Sequence, residues 1–285
     1  MSIKLILAPL DGSERSIHAL CTAQVVANRF GAHIKAVHVR ERAAEPYLFN
    51  SLPASLKTEY EKVARSASDE LVAKVEKQFA DFLAQYGIER CDGVVKSDNA
   101  TASLHVIDGD PGDELIHLGR LVDVITISRP ESHRIGGPAV GERLESLLMN
   151  TGRPVLVVPP EWTCHKVNHA AVGWNDSPEA SRALFMTMPW LSQMEKVSII
   201  TSTKREESAG RVVEYLSLHG CKVDVQYLDG RHGGVGKSML DICNEIGAEF
   251  LVVGGFSHTR ARQRLFGGVT SYLLKNTNIV TTMVH

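Results

Sequence analysis

Apolar residues fall into two alternating patterns along the chain: short, nearly continuous runs, and longer stretches with an apolar residue every three or four positions. Ile3 to Leu10 is the first short run, and it reads as a strand ending in the turn Asp11-Gly12-Ser13. Ile17, Leu20, Cys21, Gln24, Val25 and Ala27 then mark one face of a helix that Ser13 or Asp11 is placed to cap. Gly31 stops that helix before a strand over His33 to Val39. The same succession returns later: a run over Ala170 to Trp174, the turn Asn175-Asp176-Ser177, and a helix through Ala180, Ala183, Leu184 and Met188. Lys196 to Thr201 is its second strand.

The return is a repeat. A shift of 126 residues lays Leu147, Leu148, Asn150 and Thr151 on Leu273, Leu274, Asn276 and Thr277, and Asp123–Ser128 on Glu249–Gly254. The opening turns, Ser13 and Ser177, are 164 residues apart, so the first copy holds 38 additional residues after Arg40. They include an amphipathic helix over about Ala54 to Tyr86, with Leu56, Tyr60, Val63, Ala67, Leu71, Phe79, Phe82 and Tyr86 at helical steps. A crossover helix lying on the sheet explains that stripe; an exposed partner-binding helix is the alternative.

Third strands are expected at Leu104–Asp108 and Val223–Leu228, fourth strands at Val124–Ser128 and Phe250–Gly254, and fifth strands at Pro154–Val158 and Ile279–Val284. The fourth and fifth strands are nearly continuous apolar runs, as strands buried on both faces should be. Strands alternating with helices predict right-handed parallel crossovers. The fold class is therefore α/β: two tandem doubly wound domains, each a five-stranded parallel sheet flanked by helices. The boundary falls near Pro159–Thr163, giving domains of residues 1–160 and 161–285.

Composition adds limits. A hydrophobic content of 44%, a charged content of 22% and a net charge of −2 are ordinary for a globular protein, with no electrostatic case for nucleic acid or an anionic membrane. Five cysteines without a CxxC pair read as reduced thiols, and no run is long enough for a signal or a membrane span, so the expected compartment is the cytoplasm.

In a sheet of this kind ligands collect where the winding reverses, at the carboxyl ends of the first and fourth strands. In the second copy these ends carry Asn175 and Gly254. After Gly254 come Ser257, three arginines (Arg260, Arg262, Arg264), then Gly267, Gly268, Val269 and Thr270 entering a helix. Glycines let backbone approach a phosphate, and a helix start offers N–H groups and partial positive charge; a structural turn with a solvated basic face would use the same residues. In the first copy the stretch begins Ser128-Arg129-Pro130-Glu131, which lacks a donor at Pro130 and adds negative charge at Glu131.

The Asp-Gly-Ser-Glu opening at Asp11, the five-strand pattern and this loop resemble the universal stress protein family in its two-domain form, over essentially the whole chain. The resemblance implies an adenine nucleotide alpha hydrolase-like fold. ATP-binding members carry Gly-x-x-Gly, nine residues, then Gly-Ser or Gly-Thr. Here the second copy has Gly254 and Ser257, nine residues, then Gly267 and Gly268, so spacing is kept and two of four positions match. The family's first-strand Asp is Asp11 in the first copy and Asn175 in the second.

The resemblance implies a non-catalytic stress-response regulator that binds ATP or AMP, with Mg as accompanying ion, in the second domain through Asn175, Gly254, Ser257, Gly267, Gly268, Val269 and Thr270. No nucleotide is expected in the first domain, where Glu142 follows Gly141. A nucleotide-independent scaffold, a binder of another small molecule and a slow ATPase are the alternatives. It also implies that the fifth strands pair antiparallel into an intramolecular pseudo-dimer, with room for a further homodimer and for protein partners not specified by sequence.

Two other segments imitate sites. Gly230 to Ser238 resembles a P-loop, but five residues separate its glycines where four are needed, and it follows an expected edge strand. Asp108, Asp110, Asp113 and Glu114 resemble a calcium loop, yet position twelve is Gly119 rather than Glu; acidic residues at a helix start explain them. No metal-ligand spacing and no catalytic constellation is found.

Overall fold

A computed structural model describes residues 2–41, 53–129, 140–162, 167–228, 233–255 and 268–285, with the backbone only at 140–143. In the first half of the chain the order is β1 (Leu5–Pro9), α1 (Glu14–Phe30), β2 (His33–Arg40), α2 (Ala54–Tyr86), β3 (Glu89–Arg90), β4 (Thr101–Asp108), α3 (Pro111–Gly119), β5 (Val124–Ser128), α4 (Val140–Thr151) and β6 (Val155–Val158). In the second half it is β7 (His169–Gly173), α5 (Pro178–Leu191), β8 (Lys196–Thr201), α6 (Glu206–Leu218), β9 (Val223–Tyr227), α7 (Val235–Ile246), β10 (Phe250–Gly254), α8 (Gly268–Asn276) and β11 (Val280–Val284).

The strands form one eleven-stranded sheet, ordered β3-β4-β2-β1-β5-β6-β11-β10-β7-β8-β9. Every pairing is parallel except β6 with β11, where Leu156 faces Thr282. The α/β class and the doubly wound order agree with the sequence. The strand count differs: the first half carries a sixth strand, the two-residue β3, and the two sheets are continuous.

Both faces of the sheet are covered. One apolar layer joins β-strand side chains such as Ile6, Ile34 and Val252 to α1, α2, α5 and α6; the other joins Leu7, Ile125 and Leu251 to α3, α4, α7 and α8. Helix starts follow local capping chemistry. Ser13 accepts from Ser16 N, Asp110 from Gly112 and Asp113, and Ser177 from Ala180. Asp110 therefore explains the acidic segment as a cap, while Asp108 pairs with Arg40 at 3.3 Å.

The α2 stripe divides in two. Val75, Phe79 and Phe82 are buried on the sheet, whereas Leu56 and Val63 are 48% and 63% exposed. Only the C-terminal turns act as the crossover helix.

Arginines tie the halves together. The Arg29 guanidinium, in the last turn of α1, donates to the carbonyls of Val167 and Gln193 beside the end of α5. Arg129, just past β5, donates from Nη1 to Lys275 O at 2.8 Å and Thr277 O at 3.0 Å, at the end of α8.

Candidate functional site

The winding reverses between β7 and β10, which pair directly with Gly173 opposite Val253. The chain leaves β7 through Trp174, whose N–H donates to Ile200 O at 2.9 Å, and then turns. Asn175 Oδ1 accepts from Ser177 N at 3.2 Å, closing an Asx turn, and Asp176 adopts a left-handed conformation with φ of 61°. Ser177 caps α5 and Pro178 occupies its first turn. Asn175 is exposed, and its side-chain oxygen holds the turn.

Gly254 ends β10 beside this turn. A Cβ placed on it would lie 2.5 Å from Ala180 N and 2.6 Å from Glu179 C, so glycine is required here by the first turn of α5. That is a packing reason, and it differs from the phosphate-approach role read from sequence. Gly255 N donates to Val284 O at 2.7 Å, and His285 Nδ1 lies 3.3 Å from Gly255 O.

α8 is described from Gly268. Among the described residues nothing lies within 4 Å of a Cβ built on Gly268, and Val269 is 36% exposed. Thr270 is buried and points into the core rather than outward. Ser257 and Gly267, with the three arginines, lie outside the described residues. The geometry thus brings Asn175 and Gly254 together at the ends of adjacent strands and places Gly268 at the helix that follows β10. At a helix start, free backbone N–H groups and the helix dipole favour an anion.

The corresponding position in the first half is built differently. Asp11 Oδ1 accepts from both the N–H and the hydroxyl of Ser13, and Gly12 sits in the left-handed region with φ of 78°. α2 lies over this turn: a Cβ on Gly12 would be 2.6 Å from Leu71 Cδ1, and Gln78 Nε2 donates to Gly12 O at 3.3 Å. Where the second half has Gly255, the first has Arg129. Its N–H still bonds the neighbouring strand, to Val158 O at 2.7 Å, but its guanidinium is committed to the end of α8. Burial, then repulsion from Arg15, lowers its pKa, against the attraction of Glu161; a guanidinium stays charged regardless. Pro130 and Glu131 lie outside the described residues, and Gly141 and Glu142 fall within α4.

The P-loop look-alike is engaged locally. Lys237 Nζ bonds Asp241 Oδ2 at 2.7 Å one turn along α7, and its side chain packs over Gly233. β9, which precedes it, is the edge strand of the sheet. Gly230, Arg231 and His232 lie outside the described residues. Cys21, Cys91, Cys221 and Cys243 are unbridged, and burial pushes the Cys243 thiol up to about 12, far from thiolate chemistry. Among the described residues no cluster of three His, Cys, Asp or Glu is arranged to hold a metal, and no helix is long and apolar enough to cross a membrane.

Two features went unread in the sequence. The role of Arg129 as a cap for α8 has no local signal, since its partners Lys275 and Thr277 lie in the other half of the chain. An open groove beside Trp174, between α5 and α6, left no motif because its residues come from two helices and a turn.

A search of curated proteins gives no match. Among solved structures the chain is similar to a universal stress protein from Archaeoglobus fulgidus DSM 4304, at 17% identity over 99% of this chain and 96% of that one, with a TM-score of 0.73. It is also similar to a functionally unknown protein from Pseudomonas aeruginosa PAO1, at 13% identity over 99% and 92%, with a TM-score of 0.55. At these identities the likeness shows the fold. Residues 2–159 match the universal stress protein family itself, more than half of the chain. The chain belongs to the universal stress protein family.

Proposed function

We propose that the protein is a non-catalytic stress-response regulator that binds one adenine nucleotide, ATP or AMP, at the switch point of its second half. The single observation that supports this most is the placement of Gly268 at the described start of the helix that follows β10, whose end lies beside the first turn of α5 and the Asn175 turn. Asn175 would meet the nucleoside through its side-chain amide, and the backbone of Gly268 and Val269 would meet the phosphates. Ser257 and Gly267 complete the set by their spacing in the sequence. Mg, where it accompanies ATP, would be held by the phosphates and water, since no carboxylate cluster lies among the described residues.

The first half serves as the pairing half. Leu71 covering Gly12, and Arg129 committed to α8, both argue against a nucleotide there. The expected outcome in native mass spectrometry of freshly purified full-length protein is one copurified adenine nucleotide per chain. No adduct, together with no calorimetric heat on adding ATP, would leave the scaffold reading in its place; the exposed apolar residues of the first turns of α2 favour that second reading.

A further inference from the structure

The two halves answer each other position for position around their first two helices, and smaller side chains at three positions of the second half leave a cavity there. α2 and α6 end alike: Ile88 N bonds Leu83 O at 3.2 Å, and Cys221 N bonds Leu216 O at 3.1 Å, past the left-handed Gly87 and Gly220. Counting back from these matched ends sets Val75 against Ser208, Phe79 against Val212, and Phe82 against Tyr215. Along the first helices, Ile17 stands against Ser181 and Cys21 against Phe185.

In the first half this lane is filled. Phe79 is fully buried, Ile17 packs on the same core, and Cys21 Sγ meets Tyr86 Oη at 3.3 Å. In the second half the smaller Ser208, Val212 and Ser181 leave a groove of about 530 Å³ between α5 and α6. That volume suits a small organic ligand. Trp174, held by its Nε1–H to Ser208 Oγ at 2.8 Å, lines it with Phe185 and Tyr215, which are 52% and 37% exposed. The occupied first half indicates what the lane accepts: a planar aromatic ring, in the space given by Phe79 becoming Val212.

Two guanidiniums line the same groove. Arg182 and Arg211 each bond one glutamate, Glu179 and Glu207, at 2.9 Å, and keep the rest of their five donors. Asp176 stands at the end nearest β7, so an anionic group is directed toward the arginines instead. We propose that this groove binds a small aromatic carboxylate, the ring seated over Val212 among Trp174, Phe185 and Tyr215, and the carboxylate on Arg182 and Arg211. The site lies between helices on one face of the sheet and does not rest on the nucleotide reading.

The test uses the full-length protein and 2-naphthoate, titrated by calorimetry. One saturable site is expected. Val212→Phe, which restores the aromatic of the first half, should weaken it at least tenfold, and so should Ser181→Ile on the exposed side of α5, should the first variant fail to fold. Changing both arginines to Ala should weaken 2-naphthoate several-fold and leave 2-naphthol as before. No saturable binding, or unchanged affinity in Val212→Phe and Ser181→Ile, would overturn the site. Equal losses for both probes would overturn the carboxylate.

Discussion

Arg129 Nη1 donates to the carbonyl oxygen of Thr277 at 3.0 Å, joining residues 148 positions apart in the chain. Arg129 occupies the place that Gly255 takes in the second half, and Thr277 follows the helix that the second half's loop feeds. The first half has thus exchanged a loop position for a cap on its neighbour's helix, whose last carbonyls otherwise have no intrahelical donor. Duplication let one copy specialise in holding the other.

Arg129→Ala should therefore destabilise the protein by about 1–2 kcal/mol, the range for charge-assisted hydrogen bonds of a partly exposed group. Arg129→Lys should recover little, because an ammonium lacks the fork that reaches two carbonyls. Urea unfolding measures both; a change within experimental error for the alanine variant would show that the cap contributes nothing.

Gly254 and Gly268 should respond in opposite directions to alanine. At Gly254 the new Cβ meets the backbone of Glu179 and Ala180, so a loss of about 1–3 kcal/mol is expected. At Gly268 no described residue lies within 4 Å of the new Cβ in this helical turn, and a gain of up to about 1 kcal/mol is expected. Thermal melts of the two variants decide the matter, and Gly254→Ala as stable as the parent would contradict the close approach to α5.

Asp176→Gly should stabilise the second half. Asp176 holds a left-handed backbone that costs a non-glycine residue roughly 1–2 kcal/mol, and the first half already has Gly12 at that point. A rise in denaturation midpoint is predicted; a fall would mean that the Asp side chain does more in this turn than its backbone costs.

Stability should decline as the solution is acidified through the range just below neutrality. Burial, then His105 and Lys35, lowers the pKa of His33, which sits between Thr101 and Ser103 hydroxyls at 2.8 Å. Burial, then Lys196, lowers that of His169, against the opposing pull of Asp224, the Ile246 backbone and Glu249. The unfolded chain then takes up protons first, from its ordinary value of 6.5 downward, so the stability present above 6.5 is lost as pH falls toward the folded values. His33→Gln should flatten the profile between pH 7 and 5; an unchanged slope would exclude His33 as a source.

Much of this was written in local pattern. The strand at Phe250 and the helix after Ser177 follow from apolar runs and a cap residue, each decided within a few neighbours. α2 was placed at its true limits, Ala54–Tyr86, because its stripe never breaks. Periodicity could not say that the stripe leaves the sheet at its N-terminal end, since burial there depends on how far the sheet reaches. That β7 and β10 lie side by side, with Gly173 opposite Val253, follows from the strand order that the apolar runs predict. The reason for Gly254 was not legible, because Ala180 is 74 residues away in sequence. The groove was hidden for the same cause: Ser181, Ser208 and Val212 look unremarkable until the other half shows which larger side chains they replace.

The most direct measurement is calorimetric titration of the full-length chain with ATP and with AMP, beside Gly268→Glu. That variant puts a carboxylate at the described start of α8, copying the Glu142 that stands at the aligned position of the first copy's sequence, and its charge would oppose a phosphate at the helix start. The account predicts one nucleotide per chain for the parent and none for the variant, with the fold intact by circular dichroism. Two nucleotides per chain, none in the parent, or undiminished binding in Gly268→Glu would contradict it.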